Sequence, residues 1–158
     1  MRTARSAAFA ELANRENVSG ALALLAEHPE IIDGAVLRRT TELVKKSGVF
    51  APAVDLLERL VQQSTPASAV QTIALADLYC DWAEADLNAL QVEAAFAHLR
   101  AAQRIRADHF SAAKLLSQLY AERGDRKLAA RALETFLAAS SDADEREKAR
   151  HLLTRLGS

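Results

Sequence analysis

Four histidines, one cysteine and a row of carboxylates are the residues of this chain best suited to do chemistry. His28, His98, His109 and His151 are scattered, and none stands in an HExxH pattern or in Cys/His ligand spacing. Cys80 stands alone, so it can form neither an internal disulfide nor a multi-Cys zinc site. It would serve as a nucleophile only if a histidine approached it, and a small buried hydrophobe is the simpler reading. Asp77, Asp81 and Glu84 fall at i, i+4 and i+7, which puts three carboxylates on one helix face. They could bind a cation, but no Gly-containing calcium loop accompanies them, so a solvated or partner-facing stripe is expected. No phosphate-binding glycine loop and no GxSxG elbow occurs. The expectation is a protein without catalytic site, metal or cofactor.

The elements that carry these residues are helical by composition. The 158 residues include 34 Ala and 23 Leu against 5 Gly and 3 Pro, a strong helix-forming mixture with few breakers. The composition disfavours β-sandwiches and barrels, since they need β-branched and aromatic strands with frequent turns. The length suits a single domain. The formal charge is −1 and the pI about 6.4, which argues against nucleic acid as the partner. The charge is unevenly spread: residues 51–96 hold only Arg59 against seven carboxylates, whereas residues 97–158 hold 12 basic and 8 acidic side chains. No apolar run is long enough to span a membrane. Glu11 interrupts the apolar stretch after Arg5, which argues against a signal peptide. Together with the single cysteine, this points to a reducing, cytoplasmic setting.

Apolar periodicity and capping residues predict eight or nine helices. They cover about Thr3–Asn14 (with Phe9 and Leu12 inward), Val18–Glu27, Asp33–Ser47, Ala51–Gln63, Pro66–Asp86, Gln91–Arg106, His109–Arg123 and Arg126–Ala139, with a last helix after Ser140-Ser141. Asp33 reads as an N-cap and Gly48 as a stop. Thr65-Pro66 reads as a cap followed by proline at the first helical position. Ala149, Leu152, Leu153 and Leu156 make one apolar stripe on the last helix.

The chain also resembles itself. Gly48, Ala53, Leu57, Glu58, Leu60 and Val61 align with Gly124, Ala129, Leu133, Glu134, Phe136 and Leu137, and Ala95, Leu99 and Ala102 form a middle copy. Such a period marks helix pairs that bury their apolar faces only by stacking. With Tyr120, Gly124 and Ala129, and less fully Val44, Gly48 and Ala53, the chain resembles the tetratricopeptide repeat (TPR) family, whose unit is about 34 residues. Tyr79 to Ala95 is about two helical turns longer than Tyr120 to Ala129, so one longer hairpin is expected there. Tyr79-Cys80-Asp81, the long gap to Ala95, and Ala53, Asp55, Glu58, Arg59, Leu60 and Val61 are similar to the repeat region of the bacterial lipopolysaccharide assembly protein B family, a membrane-anchored adaptor.

The resemblance implies an all-α solenoid of antiparallel helix pairs wound as a right-handed superhelix. Its parts would be an N-terminal helix pair (1–32), repeats at 33–63, 66–106 and 108–139, and a capping helix at 141–156. It further implies a concave groove lined by the first helix of each pair: Arg38, Glu42, Lys45 and Lys46; then Ile73, Asp77, Cys80 and Asp81, with Glu84 beside them; then Lys114, Gln118, Ala121 and Glu122. The expected role is a non-catalytic adaptor or scaffold binding a peptide or helix of another protein, a basic one at the acidic middle segment. Two alternatives stand beside it. One is self-assembly as a homo-oligomer through a terminal apolar face around Phe9 and Leu12. The other is nucleic-acid binding through Arg100, Arg104, Arg106, Lys114, Arg123, Arg126, Lys127 and Arg131.

Overall fold

The computed structural model describes every residue except Thr65, Ala67 and Ser158. Among the described residues the chain is all-α. The helices are α1 (Arg2–Asn14), α2 (Val18–Glu27), α3 (Gly34–Ser47), α4 (Ala51–Gln63), α5 (Ala69–Asn88), α6 (Val92–Ile105), α7 (Phe110–Glu122), α8 (Arg126–Ala139) and α9 (Ala143–Leu156). A 3-10 turn, Pro29–Ile31, follows α2. Its proline suits that first position, because it has no N–H to donate. At 20 residues, α5 is the long arm expected from the wide spacing between Tyr79 and Ala95.

Local chemistry starts and stops these helices. The side chains of Asn17, Asp33, Asp125 and Asp142 each accept a hydrogen bond from a backbone amide of the first turn; His109 does so through Nδ1, 3.2 Å from the Ala112 amide. One expectation needs correction. Pro66 lies outside α5, which starts at Ala69; Thr65, its expected cap, lies outside the described residues. Ser68 holds this end instead, its hydroxyl accepting from the Gln71 amide and its carbonyl from the Thr72 amide at 3.0 Å.

Three of the turns share one shape. The amides of Asn17, Gln91 and Asp125 reach back to the carbonyls of Leu12, Asp86 and Tyr120 at 2.9, 2.7 and 2.9 Å. This is the six-to-one bond of the Schellman motif. The residue before each donor is left-handed: Glu16 at φ 56°, Leu90 at 61° and Gly124 at 81°. Gly48, at φ 75°, ends α3 in the simpler form, its amide bonding the Val44 carbonyl at 2.8 Å. Such tight turns fold each helix back on its predecessor.

The chain divides into two compact units, Met1–Trp82 and Ala83 onward. In the first, Arg5 at the start of α1 pairs with Glu30 just past α2 at 2.6 Å, so this pair is antiparallel. Phe50, just before α4, stacks on Trp82 of α5 at 6.0 Å, while Ser64 after α4 bonds Gln71 near the start of α5 at 3.1 Å, so that pair is antiparallel too. The first helices of successive pairs run the same way. Gly34 of α3 faces Val70 of α5, and eleven residues on, Lys45 reaches Asp81 at 3.1 Å. Both contacts join residues about 36 apart, close to the length of a helix-hairpin repeat.

The second unit repeats the plan. Phe96 of α6 packs on Tyr120 of α7 at 4.9 Å, and Phe110 of α7 meets Phe136 of α8 edge-on at 5.5 Å. Each contact joins the start of one helix to the end of the next. Ala113, Leu133, Phe136 and Ala149 form a buried cluster closed by Leu152, Leu153 and Leu156 of α9. The apolar stripe read on the last helix is therefore what covers the end of this unit.

Phe9 is 3% exposed and Leu12 half-buried, as the inward reading of this stripe has it. These two side chains therefore form no exposed apolar face of the kind expected for self-assembly. No helix among the described residues is long and apolar enough to cross a membrane.

Two outcomes follow for stability. Phe136→Ala, at a fully buried ring, should cost about 3–5 kcal/mol. Leu90→Gly should stabilise by about 1 kcal/mol, since the left-handed backbone at Leu90 penalises a Cβ and its side chain is 86% exposed. Urea unfolding midpoints check both; a destabilised Leu90→Gly protein would contradict the shared turn geometry.

Candidate functional site

The positions expected to line a groove lie on α3, α5 and α7. On α3 the buried stripe is Leu37, Thr40, Leu43 and Val44, and this leaves Arg38, Glu42 and Lys45 outside the core. Thr40 can be buried because its hydroxyl donates to the Val36 carbonyl at 2.7 Å. Lys46 is drawn away to pair with Glu16, in the turn between α1 and α2. Glu42 has Arg39 of its own helix at 3.9 Å, and Arg39 also donates to Asn14 at 3.2 Å.

On α5 in the same unit, Asp77 is exposed and Asp81 half-buried. Asp81 and Lys45 form an ion pair in which the carboxylate side chain is 20% and the ammonium side chain 60% exposed. The basic positions of α3 and the acidic ones of α5 thus meet at one edge. Ile73 and Val70, one turn apart on α5, are 42% and 51% exposed. Cys80 is 5% exposed and belongs to the core, as its reading as a small buried hydrophobe has it, and not to the groove wall that the resemblance implies. Tyr79 and Trp82 are likewise structural. They stack at 6.4 Å, and the Tyr79 hydroxyl donates to the Glu58 carboxylate of α4.

In the second unit Glu84, Lys114, Gln118 and Glu122 are all exposed. Gln118 and Ala121 of α7 line a cleft of about 240 Å³ with Leu152, Arg155 and Leu156 of α9. The sequence offered no sign that α9 would border these positions, because nothing in its apolar stripe says which edge of α7 it meets.

The remaining candidate chemistry has structural uses. His98 Nδ1 lies 2.6 Å from Asp86 Oδ2, tying α6 to the end of α5. His28 stands 3.5 Å from Glu30, and His109 caps α7. Among the described residues no three His, Cys, Asp or Glu side chains come together as a metal site. Of the basic residues in the C-terminal part, Arg106 is held by both oxygens of Asp108, at 2.9 and 2.8 Å. Arg123 pairs with Glu93 and lies over the Phe96 ring at 4.4 Å, a cation–π contact that sequence spacing did not reveal.

No family model matches the chain, and no curated protein matches it. Among solved structures it is similar to a thermophilic TPR protein of Thermus thermophilus, at 20% identity and a TM-score of 0.45, over 99% of this chain and 84% of that one. It is also similar to MamA, at 16% identity and a TM-score of 0.47, over 98% of this chain and 89% of that one. At these identities and scores no residue role passes from either protein to this chain.

The Lys45–Asp81 pair should show a coupling of about 0.5 kcal/mol in a double-mutant cycle at low salt, read by urea unfolding. The coupling should fall toward zero near 1 M salt. A coupling that persists unchanged in salt would place the pair in a drier setting than its exposure indicates.

Proposed function

We propose that the chain is a non-catalytic protein-interaction module that holds a peptide or helix of a partner against the first helices of its pairs. The observation that carries this reading is the face made by α3 and α5. Two helices run side by side in fixed register and present Arg38, Glu42, Lys45, Asp77 and Asp81 beside exposed Ile73 and Val70. Exposed apolar side chains rimmed by charge are what a protein interface needs: area to remove from water, and charges to set orientation. In the second unit Lys114, Gln118 and Glu122 on α7, with Glu84 on α5, are the corresponding positions.

A non-catalytic role is supported by the use already made of the reactive side chains. Cys80 is core, His109 is a cap, and His98 is engaged with a carboxylate. The occupant favoured at α5 is a basic peptide or helix, because residues 51–96 carry seven carboxylates against one arginine.

The test is an affinity capture with the purified chain as bait, read by mass spectrometry, comparing the parent with Asp77→Lys/Asp81→Lys and with Glu134→Lys/Glu147→Lys. The second variant reverses the same number of carboxylates at exposed positions of α8 and α9, which are not part of this face. A genuine partner should be kept by Glu134→Lys/Glu147→Lys and reduced at least about tenfold by the reversal at Asp77 and Asp81. Equal capture by all three proteins would remove this face from the function.

A further inference from the structure

A large cleft of the second unit lies between α6 and α8, the second helices of its pairs. It is an open cleft of about 660 Å³, lined by Ala97, Arg100, Gln103, Arg104 and Ala107 of the α6 side and by Thr135 of α8. That is the volume of an ordinary ligand pocket. It stays open because alanine stands at two of its wall positions. The one long neutral side chain is also held aside, Gln103 Nε2 donating to the Ala132 carbonyl at 3.0 Å.

Arg100 and Arg104 are one helical turn apart, so their guanidinium groups project from the same side of α6. Both are exposed, and among the described residues no carboxylate lines the cleft. Arg106 and Arg123 differ in this respect: Arg106 has Asp108, and Arg123 has Glu93. The charge that lines the cleft is therefore of one sign.

We infer that this cleft is a docking site for an acidic peptide segment of a partner protein, with Arg100 and Arg104 each receiving a carboxylate. The guanidinium fork matches a carboxylate in two parallel hydrogen bonds. Two such forks a turn apart select carboxylates at matching separation. The alanines leave a floor for the methylene stems of glutamate, and the Thr135 hydroxyl, whose proton goes to the Arg131 carbonyl at 2.8 Å, can accept a backbone N–H of the peptide. A nucleic-acid backbone would need a longer track of cations than the two that line the cleft. No residue of this cleft belongs to the α3–α5 face.

The test is fluorescence anisotropy of the full chain with a labelled octa-glutamate peptide. Octa-glutamine and an eight-nucleotide oligo-dT serve as comparisons. Octa-glutamate should bind saturably, and both comparison ligands more weakly. Arg100→Ala/Arg104→Ala should lower its affinity at least about tenfold, since each fork supplies charge-assisted hydrogen bonds. Arg126→Ala/Lys127→Ala, which removes two exposed cations at the start of α8, should change it less than about twofold. Circular dichroism should be unchanged, both arginines being exposed. Equal loss in the two double variants would reduce the effect to general charge and overturn the assignment. So would binding unaltered by Arg100→Ala/Arg104→Ala, or tighter binding of oligo-dT.

Discussion

Close approach of helices at alanine is the constraint on which the rest of this structure depends. Ala21 and Ala76 in the first unit, and Ala95, Ala102, Ala112, Ala113, Ala129 and Ala149 in the second, are wholly removed from solvent. A methyl group at a crossing lets two backbones come near, and the larger neighbours then fill the space on either side. Phe136, Leu133, Leu99 and Leu116 do so in the second unit, and Leu25, Ile31 and Val44 in the first. A helix pair with such a face has nowhere to bury it except against another pair, and stacking is the consequence.

The turns supply the second half of that logic. A Schellman bond after α1, α5 and α7 satisfies a terminal carbonyl and reverses the chain within three residues. Only one of the three has glycine at the left-handed position, so the motif is imposed at Glu16 and Leu90 by the packing on either side, against local preference. The polar side chains then lock neighbouring helices: Tyr79 to Glu58, His98 to Asp86, Arg123 to Glu93 and Phe96, and Arg146 to the carbonyls of Leu137 and Ser140. Among the described residues no buried side-chain nitrogen or oxygen is left without a partner, and the groups able to do chemistry are largely occupied in this way.

What remains for recognition is surface, and it is of two kinds. The first helices offer a mixed face with exposed apolar residues, where charges of opposite sign already meet at Lys45 and Asp81. The second helices of the later unit offer a cleft with charge of one sign. A mixed face favours orientation of an apolar contact, whereas an uncompensated one favours a ligand of opposite charge.

Helix content, most helix ends, the long fifth helix and the pairing of neighbours were legible in the sequence, because each depends on side chains within a few residues of one another. Asp33 and Gly48 bound α3 whatever packs on it, and the spacing of Ala149, Leu152, Leu153 and Leu156 marks a stripe that must be covered. The start of α5 was misread because Ser68 and the Thr65-Pro66 pair are both sound caps locally. The candidate surface was legible only as helix faces. How far Asp81 is covered beside Lys45, which edge of α7 the last helix borders, and which arginines find a carboxylate depend largely on contacts between residues distant in the chain, which no local pattern encodes. Periodicity gives the face of a helix, but the rotation that sets a face toward core or water is decided by the volumes of the side chains it meets, and only the tertiary structure brings those together.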